Sequence, residues 1–158
     1  MIDKIGLKTT IRELVAYKEL DPKDNEAVEC AQLASKLREA GAKPKEPTMI
    51  LFRDDKDDPE CRKEVMVPIE KEVKGFETKM KDEVKVAFLV FKGTDQPLDY
   101  YYGKLYEFIE ENGLTPASRF CSIEAVYQPH EYGLSYGSFI DEDTPEHWST
   151  EIMIPVEE

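Results

Sequence analysis

Glu64-Val65-Met66-Val67-Pro68-Ile69-Glu70 and Glu151-Ile152-Met153-Ile154-Pro155-Val156-Glu157 match in chemical type at every position. They lie 87 residues apart (151 − 64), the length of a small supersecondary unit, so the chain reads as one motif used twice. Strand side chains alternate between faces, which puts Val65, Val67 and Ile69 on one side and Glu64, Met66 and Pro68 on the other. Ile152, Ile154 and Val156 oppose Glu151, Met153 and Pro155 in the same way. The β-branched side is the natural partner of amphipathic helices, and the opposite side carries an acid and a methionine from each copy.

The segments before the two copies follow one order. Thr10 to Leu20 reads as a strand, and Asp21-Pro22-Lys23-Asp24 as the start of a helix to Ala40 with Ala27, Cys30, Ala31, Leu33, Ala34 and Leu37 on one side. Gly41 closes that helix. Thr48–Arg53 and Arg62–Ile69 read as strands joined by the polar loop Asp54-Asp55-Lys56-Asp57-Asp58-Pro59. In the second half Lys79–Lys92 holds the most apolar run, a helix follows from about Gln96 to Gly113, and Arg119–Tyr127 and Ser149–Val156 complete the pattern around a long loop. The helix-closing glycines are 72 apart (113 − 41), and each is followed three residues on by Pro44 or Pro116. The expected fold is α+β: duplicated β-α-β-β halves with pseudo-twofold symmetry, an antiparallel sheet and helices on one face. A single domain over 1–158 is expected, with repeat one at about 8–70 and repeat two at about 76–158.

Composition narrows the function classes. With 21 basic and 34 acidic residues the net charge is −13, which disfavours direct nucleic-acid binding and favours cationic ligands at long range. No apolar run reaches the roughly twenty residues of a membrane helix and Met1-Ile2-Asp3-Lys4 opens no signal peptide, so no membrane association and a cytoplasmic location are expected. Cys30, Cys61 and Cys121 lack metal or disulfide spacing and read as small apolar residues. His130 and His147 flank the long loop without a spaced acid or thiol, and the acidic run Asp54–Asp58 lacks the EF-hand pattern, so no metal and no cofactor is expected.

The candidate ligand face follows from the alternation. Glu64 and Glu151 approach the seam between halves, Met66 and Met153 adapt to irregular guests, and a buried carboxylate invites a cationic or hydrogen-bonding partner. A solvated acid or a pair with a neighbouring lysine is the competing use of the same glutamates. Glu124 in Ser122-Ile123-Glu124-Ala125-Val126-Tyr127 serves equally as a buried ion-pair partner or a ligand contact. Tyr101 and Tyr102 fit core packing or the cavity wall, Tyr127 either, and Trp148 stands three residues before Glu151.

The order of Val86-to-Thr94, Tyr100-to-Leu114, Ile123-to-Pro129 and Trp148-Ser149-Thr150-Glu151-Ile152-Met153-Ile154-Pro155-Val156, with the Asp-Asp-Pro loop ahead of the first copy, resembles a GyrI-like domain, also called the AraC-type effector-binding domain. The resemblance covers essentially the whole chain through short motifs in a fixed order. It implies two β-α-β-β halves forming a saddle whose junction binds small, often cationic and hydrophobic compounds, as in multidrug binding and transcription regulation. It also implies ligand-groove roles for Glu151, Trp148, Tyr102 and Tyr127. The family includes effector domains of regulators, stand-alone proteins including gyrase inhibitors, and hydrolases of cyclopropane-bearing genotoxins. With no room for a DNA-binding module before Thr10, the stand-alone type is expected. The first expectation is a sensing or sequestering binder. The alternatives are a hydrolase using Glu151 to activate water and Tyr127 to polarise a carbonyl, and a protein-interaction role of the gyrase-inhibitor kind. The natural ligand and any protein partner are open.

Overall fold

In the computed structural model, which describes residues 2–93, 95–127 and 149–158, one antiparallel sheet of eight strands carries two helices. The elements are β1 (Ile2–Thr9), β2 (Glu13–Leu20), α1 (Glu26–Glu39), β3 (Thr48–Phe52), β4 (Lys63–Pro68), β5 (Thr78–Lys81), β6 (Lys85–Lys92), α2 (Leu98–Glu111), β7 (Ser122–Tyr127) and β8 (Ser149–Pro155). Their order across the sheet is β1-β6-β8-β7-β3-β4-β2-β5. The duplicated α+β architecture expected from the repeated heptapeptide is present.

Two elements differ from the expectation. The Thr10–Leu20 strand is present as β2, beginning at Glu13, but is preceded by an unexpected strand, β1, so that each half runs β-β-α-β-β, and Lys79–Lys92 is two strands, broken at Asp82-Glu83-Val84. Both breaks have one cause. Residues 10–12 carry the chain from β1 on one margin to β2 near the other, and 82–84 carry it from β5 to β6 in the opposite sense. Four Cα steps from Thr9 to Glu13 reach at most about 14 Å, whereas six strand spacings across a flat sheet would need about 29 Å. The sheet must therefore curl until its margins meet. They do so where the Thr10 amide donates to the Val84 carbonyl at 2.9 Å and the Val84 amide donates to the Thr10 hydroxyl at 3.0 Å.

Each half thus lends its first strand to the other: β1 pairs with β6 and β5 with β2. The pseudo-twofold passes through the central β3·β7 ladder at the facing residues Ile50 and Glu124. It relates Met49 to Ile123 and Leu51 to Ala125, because Met49 faces Met66 while Ile123 faces Met153.

Both helices cover the convex side. Leu33 and Leu37 of α1 pack on Ala16, Ile50, Val65, Val67 and Ile69. Tyr101, Leu105 and Ile109 of α2 pack on Ala87, Leu89, Ile152, Ile154 and Val156. The β-branched face of each repeated heptapeptide therefore meets a helix, as alternation requires. Helix α1 is capped by Asn25, whose side-chain oxygen accepts the Val28 amide at 3.1 Å, and not by the Asp21–Asp24 turn, which closes on itself through the Asp21 amide and the Asp24 carboxylate. Gly41 (φ 85°) and Gly113 (φ 65°) end the two helices in the left-handed conformation that glycine adopts without a Cβ clash.

Candidate functional site

The concave side is built from the other face of the same strands. Val15, Met49, Leu51, Met66, Val86, Phe88, Ile123, Ala125 and Met153 form its apolar floor, with Tyr17 and Tyr127 against them. Into this floor two carboxylates project: Glu64 is 1% exposed and Glu151 3%. A carboxylate held from water at that depth costs several kcal/mol unless it is paired, and each acid has its partners.

Those partners are related by the pseudo-twofold. Glu64 receives Lys79 from β5 at 2.5 Å and the Arg53 guanidinium at 3.4 Å, and the Lys79 ammonium stands 4.2 Å from the Tyr17 ring centre. Glu151 is bonded by Lys8 of β1 and receives the Tyr127 hydroxyl at 3.4 Å, and the Lys8 ammonium stands 4.7 Å from the Phe88 ring centre. Lys8 and Lys79 face Val86 and Val15, Tyr17 and Phe88 face Met66 and Met153, and Arg53 of one half stands where the other has Tyr127. The asymmetry is chemical: the first acid has two cationic partners, whereas the second has one cation and a phenol.

Both lysines come from the exchanged strands, which the sequence reading did not recognise as such. The signal was present. Lys8 and Lys79 are 71 apart (79 − 8), as are Tyr17 and Phe88 (88 − 17), within Val15-Ala16-Tyr17 and Val86-Ala87-Phe88. The spacing grows to 74 between Leu51 and Ala125 (125 − 51) and to 87 only across the β7–β8 connection, so the early strands lie at a register different from that of the repeated heptapeptide.

The structure brings Glu64, Met66, Glu151, Met153 and Tyr127 to one face. It puts Tyr101, Tyr102 and Glu124 on the other, separated from the acids by the sheet. Tyr101 stacks on Phe91 at 3.7 Å between ring centres and donates to Asp95 at 3.0 Å. Tyr102 donates to Glu124 at 2.6 Å and lies 3.1 Å from the Ser122 hydroxyl, while Lys56 reaches Glu124 at 2.9 Å. Glu124 thus has the ion-pair role weighed for it, supplied by the lysine of the Asp-rich loop. Trp148, His130 and His147 lie outside the described residues.

Burial and Asp95 push the Tyr101 phenol up to about 12, and burial with Glu124 beside it raises Tyr102 as well. A buried phenol whose folded pKa exceeds its unfolded value of about 10 contributes stability present below pH 10 and lost as pH rises toward 12. In a phenolate absorbance titration, Tyr101 and Tyr102 are therefore expected to stay protonated past pH 10 and to ionise with alkaline unfolding. Ionisation of all eight tyrosines near pH 10 with the fold retained would contradict their burial.

A cavity of about 290 Å³ opens beside Glu64, walled by Arg53, Lys79, Lys81 and Arg119 and floored by Met66 and Phe120. A smaller one of about 140 Å³ lies on the helix side between Lys56, Asp99, Tyr102 and Cys121. Among the described residues no cluster of histidine, cysteine and carboxylates has the makings of a metal site, and no helix is long and apolar enough to cross a membrane.

No family model and no curated protein matches the chain. Solved structures do. The chain is similar to the EcmrR C-terminal domain at 17% identity and TM-score 0.76, over 98% of each chain. It is also similar to a hydrolase from Listeria innocua at 11% identity and TM-score 0.65, over 98% of this chain and 92% of that one. The curled sheet with its two helices is likewise shared, at 11% identity and TM-score 0.53 over 98% of this chain and 94% of the other, with SAV2435 bound to tetraphenylphosphonium, so this chain has the fold of these structures.

Proposed function

We propose that the protein binds small amphipathic organic cations on the concave face, with Glu151 as counter-charge, as a sensing or sequestering domain. One observation carries this reading. The Lys8 ammonium already sits against Glu151 and over the Phe88 ring, the two contacts an organic cation would make. Lys8 is an edge-strand residue whose side chain is 39% exposed, so it can swing to water when a guest takes its place. Met153 and Tyr127 beside it supply adaptable and flat apolar contact. Tetraphenylphosphonium in SAV2435, a protein of the same fold, supports the ligand class. Glu64, with two cations against it, is the poorer seat for a third.

Hydrolysis is the second reading, favoured by the Tyr127 hydroxyl at Glu151. The Glu151 oxygens are engaged by Lys8 and Tyr127, however, which leaves less capacity to take a proton from water and favours binding over catalysis.

The test is a calorimetric titration with tetraphenylphosphonium and its isosteric anion tetraphenylborate. The cation is expected to bind at least about tenfold more tightly, a difference of about 1.4 kcal/mol. Absence of saturable cation binding, or displacement of the bound cation by tetraphenylborate at equal affinity, would remove the basis for the proposal.

A further inference from the structure

The cavity beside Glu64 has a charge opposite to that of the protein as a whole. Its wall carries Arg53, Lys79, Lys81 and Arg119 against Glu64 and Asp82, four cations to two acids, in a chain of net charge −13. The acids are engaged. Glu64 is shared by Lys79 and Arg53, and Asp82 faces Arg12 at 3.6 Å. That leaves Lys81 and Arg119, neither in an ion pair among the described residues. Lys81 is half-buried beside its cross-strand neighbour Glu13, yet its ammonium reaches only the Thr10 hydroxyl, at 3.4 Å. Burial lowers its pKa from lysine's usual range, with Glu13 opposing the shift and Lys8 adding to it. The remaining wall is apolar: Leu51, Met66, Met80, Val84, Phe120 and Ile123.

We propose that this cavity is a second ligand site, for a small organic anion whose carboxylate or sulfonate group lies between Lys81 and Arg119 and whose apolar body rests on Met66, Phe120 and Ile123. A lysine and an arginine lining one cavity with an adaptable apolar wall are what an amphipathic monoanion requires. A flat aromatic anion of two or three rings suits a space of about 290 Å³. The concave face then has a cation seat at Glu151 in one half and an anion seat in the other, produced from one duplicated template by exchanging Tyr127 for Arg53 and adding Lys81 and Arg119.

The probe is 8-anilinonaphthalene-1-sulfonate, titrated against the whole chain by fluorescence alongside N-phenyl-1-naphthylamine, which has the same rings and no charge. One saturable sulfonate site is expected. Lys81→Gln and Arg119→Gln should each weaken the sulfonate about tenfold, as for loss of a charge-assisted bond, and change the neutral probe less than twofold. Lys81→Arg, which keeps the charge, should bind like the wild type and guards against misreading a folding defect. Equal effects on both probes, or no effect of either Gln variant, would overturn the proposal. Displacement of the sulfonate by tetraphenylphosphonium would also overturn it, by reducing the two seats to one. Failure of the cation reading alone would leave the sulfonate results intact, so the two proposals fail separately.

Discussion

Glu151→Gln is expected to weaken tetraphenylphosphonium binding about thirtyfold or more, while Glu64→Gln changes it less than threefold. The two acids are equivalent in sequence and in depth, and the difference lies in what surrounds them. A guest cation at Glu151 exchanges with one lysine that can turn to solvent, whereas at Glu64 it would have to displace Lys79 and then meet Arg53. Removing the carboxylate of a buried charge contact costs about 2 kcal/mol or more, which is the thirtyfold. Glutamine keeps the volume, and Lys8 in the variant regains water, so the fold is retained. Lys8→Gln should act in the opposite direction and tighten the cation, because the built-in competitor is gone. Calorimetry on the three variants decides: equal losses for both glutamates, or no gain for Lys8→Gln, would show that the two halves do not differ in the way their partners indicate.

What the sequence made legible follows from what repeats in it. The alternation in Glu64–Glu70 and Glu151–Glu157 determined which side of each strand meets a helix, and Val65, Val67, Ile152 and Ile154 do pack against α1 and α2. The acid and methionine side was legible for the same reason. The lysines opposite the acids were not, because β1 and β5 pair with strands of the other half, and a strand's partner is set by the path of the chain rather than by its own period. Lys8 lies 143 residues from Glu151. Glu124 and Tyr102 are placed differently, on the helix side. They are polar groups in an apolar setting, where Lys56 pairs with Glu124 and Ser122 lies against the Tyr102 hydroxyl.

Exchange of β1 and β5 has a consequence for stability that a pair of independent half-domains would not show. Leu37 and Leu105 are both fully buried, one under α1 and the other under α2. Truncating either to alanine removes a buried isobutyl group and leaves a cavity, a cost of about 2–5 kcal/mol. For a domain of this length each kcal/mol lowers the melting temperature by about 2–4 °C. Because half one contains β5 of half two, half two contains β1 of half one, and β3 pairs with β7 at the centre, neither half can unfold while the other keeps its margin strand. Leu37→Ala and Leu105→Ala should therefore each shift one shared transition, seen alike by far-ultraviolet circular dichroism and by tyrosine fluorescence. The two leucines belong to separate clusters, so the double variant should lose the sum of the single losses to within about 0.5 kcal/mol. A biphasic melt in which Leu105→Ala lowers one step and leaves the other in place would mean that the halves fold as separate units and that the strand exchange does not bind them together.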